Sequence, residues 1–176
     1  YELSKENKEL IPKTIKHIFI ISDRRERIET LRKIAKAVNS DKTMIFINTK
    51  YDLEESLQKL QYHNYNVAAL AGNIDKQSKK KAVEDFQNGR LQYLLATDVA
   101  ARGLQIDHIS TVINVNLPEE PTEYLHRAGR CGRNNEQGLC ISIITENELN
   151  KIKKYQKAFN INIVQKRLYN GKIVSK

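Results

Sequence analysis

Tryptophan is absent from the 176 residues, cysteine occurs twice, methionine once and proline three times. No apolar run approaches the roughly 18 to 20 residues of a membrane-spanning helix, and the opening Tyr1-Glu2-Leu3-Ser4-Lys5 does not read as a signal peptide. No membrane partner is expected. Cys131 and Cys140 stand without a Cys-x-x-Cys or a paired histidine, so neither a zinc site nor a disulfide scaffold is supported. A reducing, cytoplasmic setting fits two such cysteines. The histidines His17, His63, His108 and His126 are scattered and read as surface or packing residues, so no metal site is expected. No repeat, low-complexity run or Gly/Ser linker divides the chain, whose length suits one domain.

Positive charge is in surplus. Thirty Lys and Arg face 21 Asp and Glu, a net +9 with a pI near 9.5, which favours a polyanionic partner, nucleic acid first. Short apolar runs at 18–21, 44–47, 67–71, 91–96, 112–115 and 139–144 read as strands. Those at 91–96 and 112–115 are nearly continuous, the mark of strands buried on both faces. Between them lie helical stripes: Ile28, Leu31, Ile34, Ala35 and Val38; Leu53, Leu57 and Leu60; Ala82, Val83 and Phe86, stopped by Asn88-Gly89; and Leu149, Ile152, Tyr155 and Phe159. Pro121 suits the first turn of a helix running toward Arg130.

Strands alternating with helices of this length imply crossovers, a mainly parallel sheet and helices on both faces: a three-layer α/β domain. Residues 1–14 read as a lead-in, 15–160 as the domain, and 161–176 as a tail that is either a short edge strand or disordered, with Asn170-Gly171 as a turn. In such sheets ligands gather beyond the carboxyl ends of the strands. Gly72, Gly103, Gly129 and Gly132, out of seven glycines, fall in or near those connections.

Two segments there carry chemistry. In His126-Arg127-Ala128-Gly129-Arg130-Cys131-Gly132-Arg133, Arg127 and Arg130 would share a helix face, and Gly132 would break the helix so that Arg133 points from the next loop. Clustered guanidinium forks with no interleaved acid suit a bidentate grip on phosphate; alone, the segment reads equally as a solvated basic helix end. In Ala96-Thr97-Asp98-Val99-Ala100-Ala101-Arg102-Gly103-Leu104 a strand delivers Thr97 and Asp98 to a loop of small residues, where a hydroxyl and amides can hold a backbone phosphate. Alone, it is an ordinary strand-to-loop junction.

Together they resemble motifs V and VI of the DEAD-box RNA helicases, with Met44-Ile45-Phe46-Ile47-Asn48-Thr49-Lys50 similar to motif IV and Val112-Ile113-Asn114-Val115-Asn116-Leu117-Pro118 to the connecting strand, over about residues 15 to 160. The resemblance implies a RecA-like second lobe of an ATP-dependent helicase. No Gly-x-x-x-x-Gly-Lys-[Ser/Thr] loop and no Asp-Glu-Ala-Asp occurs in the chain, and in the family those parts, which hold ATP and Mg²⁺, sit on the N-terminal lobe. ATP hydrolysis by this chain alone is therefore not expected. The opening at Tyr1 and the lead-in fit an excised domain.

The resemblance assigns Arg130 and Arg133 as arginine fingers, and Arg102, Gln105, His126 and Arg127 to nucleotide binding or lobe coupling. It assigns Thr49, Lys50, Gly72, Lys79, Thr97 and Gly103 to an RNA-backbone track that is sequence-independent and salt-sensitive. The chain departs from the pattern at Gln105, in Ala71-Gly72-Asn73…Lys76-Gln77-Ser78-Lys79 where the family has His-Gly-Asp…Gln-x-x-Arg, and at Cys131, which replaces a common Thr. Gln105 stands where the family has a ribose-contacting Asp, and Lys79 stands for an RNA-contacting Arg, keeping charge without the fork. Lys79-Lys80-Lys81 could extend the track or be a solvated helix face. The alternative function is a degenerate lobe that binds RNA or protein without catalysis. A DNA translocase lobe is a weaker reading that this form of motif VI opposes.

Overall fold

Aliphatic and β-branched runs become the strands. The computed structural model describes residues 11–71, 73–132 and 136–176. Eight strands form one sheet: β1 (Ile15–Ile21), β2 (Thr43–Phe46), β3 (Val67–Leu70), β4 (Tyr93–Ala96), β5 (Thr111–Asn114), β6 (Gly138–Ile144), β7 (Ile163–Tyr169) and β8 (Lys172–Ser175). Their order is β3-β4-β2-β5-β6-β1-β7-β8. Every neighbouring pair is parallel except β7 and β8, which are antiparallel.

Six helices connect them: α1 (Arg27–Val38), α2 (Lys50–Tyr62), α3 (Lys76–Gln87), the single turn α4 (Asp98–Ala101), α5 (Pro121–Ala128) and α6 (Leu149–Phe159). The two-residue alternation of the strands splits the core. Ile45 and Ile47 point to the side where Leu31 and Ile34 of α1 and Leu53 and Leu60 of α2 pack. Met44 and Phe46 point to the other, against Phe86 of α3, Tyr124 and Leu125 of α5, and Ile152, Tyr155 and Phe159 of α6. Sheet and two helical layers therefore match the three-layer expectation. β4 and β5 are buried along their whole length, as their continuous apolar runs require.

One local expectation is refined and one is corrected. The tail takes the edge-strand alternative, with two strands in place of one: β7 adds to β1 in parallel, and β8 folds back on it at the edge. Asn170 and Gly171 adopt φ of 50° and 74°, the paired positive values of the tight turn that Asn-Gly favours between antiparallel strands. The helix entered at Pro121 stops at Ala128, with Gly129 as its C-cap, so Arg130 lies on a turn beyond it and Gly132 is not the breaker. Gly132 instead has φ of 52°, and a Cβ there would sit 2.7 Å from the Glu136 carbonyl oxygen.

Candidate functional site

Three adjacent strands, β3, β4 and β2, pair in register at Leu70, Ala96 and Phe46, so the segments that follow them emerge side by side at one edge. After β4, Thr97 caps α4 by accepting from the Ala100 N–H at 3.1 Å. Beyond β2, Thr49 caps α2 by accepting from the Asp52 N–H at 3.2 Å, with Lys50 exposed at the first helical position. Capping consumes a lone pair of each hydroxyl and leaves its proton to donate outward. Beyond β3, Asp75 caps α3, and Lys79 lies half-buried in that helix. Gly72, the other position assigned to this rim, lies outside the described residues.

The same Thr97 turn opens on its far side into a cleft of about 540 Å³. Arg102, Gly103 and Gln105 line one wall, and Glu123, His126 and Arg130 line another. Gly103 has φ of 81°, a left-handed conformation that lets the loop double back. Arg102 reaches Glu123 at 3.5 Å and His126 is exposed. Arg130 is half-buried, and its guanidinium donates to the carbonyls of Leu104 and Ala101, each at 3.1 Å. Burial lowers its pKa from the usual arginine value, while Asp107, Asp98 and Glu123 oppose that shift. Two of five guanidinium N–H groups are thus spent on fixing the side chain against the loop. Arg133 lies outside the described residues.

Arg127 departs from the sequence expectation. Its side chain is 1% exposed and is neutralised inside the domain, so it is not a free fork beside Arg130. The Asp98 carboxylate takes it bidentately, Nε to Oδ1 at 2.8 Å and Nη2 to Oδ2 at 2.6 Å. Nη1 donates to Asn114 Oδ1 at 3.1 Å and to the Asn116 carbonyl at 2.7 Å. The guanidinium carbon sits 4.9 Å over the centre of the Phe46 ring. Asn48, in the amide orientation that satisfies both neighbours, donates to Asp98 and accepts from Arg127, each at 3.1 Å. One buried cation therefore ties together the ends of β2, β4 and β5 and helix α5. The acid missing from the local sequence comes from 29 residues away.

The sequence places Asp98 beside Thr97 at the end of a strand but names no partner for it, and it assigns no role to Asn48, Asn114 or Asn116. A signal was present, because Asn114 is wholly buried in an otherwise apolar strand and a buried amide requires a partner. Among the described residues no group of three His, Cys, Asp or Glu side chains could hold a metal. Both cysteines are buried free thiols.

The model of the helicase conserved C-terminal domain family matches residues 26–135. The chain belongs to that family. Its relatives put it in the DEAD-box group. It is 34% identical over 160 residues to the DEAD-box ATP-dependent RNA helicase CshC of Bacillus cereus, covering 91% of this chain and 41% of the relative. It is 32% identical over 162 residues to the probable ATP-dependent RNA helicase YfmL of Bacillus subtilis, covering 92% and 43%. This helicase C-terminal domain thus spans about two-fifths of the length of those curated relatives. Among solved structures, it resembles the C-terminal domain of the DEAD-box protein Dbp5, with a TM-score of 0.83, 28% identity and coverage of 88% of this chain and 91% of that one. Dbp5 of S. cerevisiae bound to RNA and ADP BeF3 aligns with a TM-score of 0.84 and 28% identity, over 94% of this chain and 44% of that one.

Proposed function

We propose that this domain is the second lobe of an ATP-dependent RNA helicase. In this reading the cleft at Gln105 and Arg130 closes over the phosphates of ATP held by an N-terminal lobe, and the rim at Thr49, Lys50, Lys79 and Thr97 grips RNA backbone. The observation that carries it is the state of Arg130, a partly desolvated cation pinned by two backbone carbonyls at the wall of an open cleft. A cation already oriented and partly stripped of water costs little reorganisation as charge builds on a transferring phosphoryl group. Comparable arginines in other phosphoryl-transfer systems contribute about 10³- to 10⁵-fold in rate. Arg133 is the second candidate finger on sequence grounds.

Arg127 has a different role in this reading. Held by Asp98, it keeps the loop of Ala101 and Leu104 in the position that orients Arg130. It acts as a positioning residue rather than a phosphate ligand. With no phosphate loop in the sequence and no acidic cluster among the described residues, ATP and Mg²⁺ would take their main ligands from the other lobe. Hydroxyls and lysines along the rim read phosphate and sugar, so RNA binding is largely independent of base sequence and weakens with salt.

In the complete protein, Arg130→Ala is expected to lower RNA-stimulated ATP turnover by at least 10³-fold with RNA affinity unchanged within about twofold. Turnover equal to the parent's refutes the assignment. A binding-only lobe is the second reading, motivated by the uncharged Gln105 in the cleft wall. Absence of RNA-stimulated turnover in the complete parent protein would favour it.

A further inference from the structure

The charge surplus does not sit where the helicase motifs sit. Residues 149–176 hold eight Lys and Arg and no Asp or Glu, so 1–148, with 22 basic against 21 acidic side chains, are nearly neutral. The surplus belongs to α6 and the β7–β8 hairpin.

Six of these cations are exposed, and Lys151 and Lys166 are half-buried. Lys151 meets Glu119 at 3.1 Å; among the described residues no carboxylate lies within ion-pair distance of the other seven. Lys153, Lys154 and Lys157 stand at i, i+1 and i+4 on the exposed stripe of α6, opposite its buried Ile152, Tyr155 and Phe159. The crossover from β6 to β7 carries α6 over β1, and Arg167 and Tyr169 share the strand face of Ile163, which packs in the α6 core, whereas Leu168 and Ile173 face the α1 side. On the hairpin Arg167 and Lys172 are exposed, and the Arg167 guanidinium lies 5.1 Å from the centre of the Tyr169 ring. Tyr169 is 57% exposed. Holding several like charges together on a surface is unfavourable without a counter-charge, and an exposed ring backed by a guanidinium is a stacking face for a base.

We propose that α6 and the β7–β8 hairpin form a second RNA-binding surface, outside the motif-bearing cleft and rim, with Lys153, Lys154, Lys157, Arg167 and Lys172 on phosphates and Tyr169 stacked on a base. Cations spread over two elements match a long polyanion better than a single phosphate group, and the exposed ring favours nucleic acid over an acidic peptide.

The test is anisotropy of a labelled 20-nucleotide poly(U) RNA with the 176-residue chain, from 50 to 200 mM salt. Replacing the five cations by Gln is expected to weaken binding at least tenfold at 50 mM. It should also flatten the plot of log affinity against log salt by about 3.5, at about 0.7 per lost phosphate contact. Replacing the four lysines by Arg should retain the parent slope, and Tyr169→Ala should weaken binding roughly tenfold. Because the changed side chains are exposed, unchanged melting of the Gln variant is checked in parallel; should it melt early, the Arg-for-Lys and Tyr169→Ala variants decide. A Gln variant with parent affinity and slope overturns the proposal, as does polyglutamate binding the surface while poly(U) does not. The result is independent of the ATPase test, because Arg130→Ala leaves this surface intact.

Discussion

Removing the guanidinium of Arg127 should unfold this domain well before it affects any ligand. The side chain is 1% exposed and its partner Asp98 16%. Truncation to Ala strands the Asp98 carboxylate and the wholly buried Asn114 amide oxygen, and removes the contact with Phe46. Breaking a buried, hydrogen-bonded ion pair from one side costs about 3 to 5 kcal/mol. A domain of this size loses about 3 °C of melting temperature per kcal/mol, so Arg127→Ala should melt roughly 9 to 15 °C below the parent. Arg127→Lys keeps the charge but not the fork, and should recover only part of the loss. The double variant Arg127→Met/Asp98→Ala leaves no uncompensated charge and should melt well above the sum of the single losses, a coupling of about 2 to 3 kcal/mol. Thermal melts of the parent, Arg127→Ala, Arg127→Lys, Arg127→Met, Asp98→Ala and the double variant suffice. A shift under 3 °C for Arg127→Ala, or additive losses in the double variant, would refute the view that this arginine is an internal brace.

Two further outcomes follow from single side chains. His17 is 5% exposed, its Nδ1 lies 2.8 Å from the Tyr124 hydroxyl, and burial pulls its pKa down from 6.5 to about 4. The unfolded chain therefore binds the extra proton first, and the domain should lose up to about 3 kcal/mol as pH falls from 6.5 to 4. Denaturant midpoints at both pH values check this, with His17→Gln flattening the difference. Phe86 is the sole buried residue of α3, the helix that carries Lys79. Phe86→Ala should cost about 3 to 5 kcal/mol, read as a drop in melting temperature together with faster amide exchange in that helix.

What could be read from the sequence was whatever depends on neighbours in the chain. Within the runs at 91–96 and 112–115, residues 93–96 and 112–115 are fully buried because a nearly continuous apolar run has no polar face to turn toward water. Pro121 opens a helix because its missing N–H is needed by no partner there. What stayed open or failed depends on distant residues. Ile163-Val164-Gln165-Lys166-Arg167-Leu168-Tyr169 carries too many cations for a clear alternation, and it becomes a strand because β1 offers it an unpaired edge. Arg127 looked like one fork among three because its acid, Asp98, enters from α4, 29 residues earlier in the chain. Asn114 was the readable warning, an amide inside a strand with no water to satisfy it.

Net charge was the weaker guide for the same reason. A surplus of nine suggests a basic site, yet the motif-bearing part of the chain is nearly neutral and its central arginine is internally balanced. Two arginines of a single octapeptide differ by their partners. Arg127 is bound to a carboxylate and holds the fold. Among the described residues the hydrogen bonds of Arg130 go to two carbonyls, which orient the guanidinium, while Asp107, Asp98 and Glu123 favour its charged form. In the proposed reading its charge acts across the cleft, whereas a carboxylate in place of either carbonyl would have spent it. Arg133 is assigned from the motif alone. In this domain the partner of each cation, more than the number of cations, separates scaffold from site.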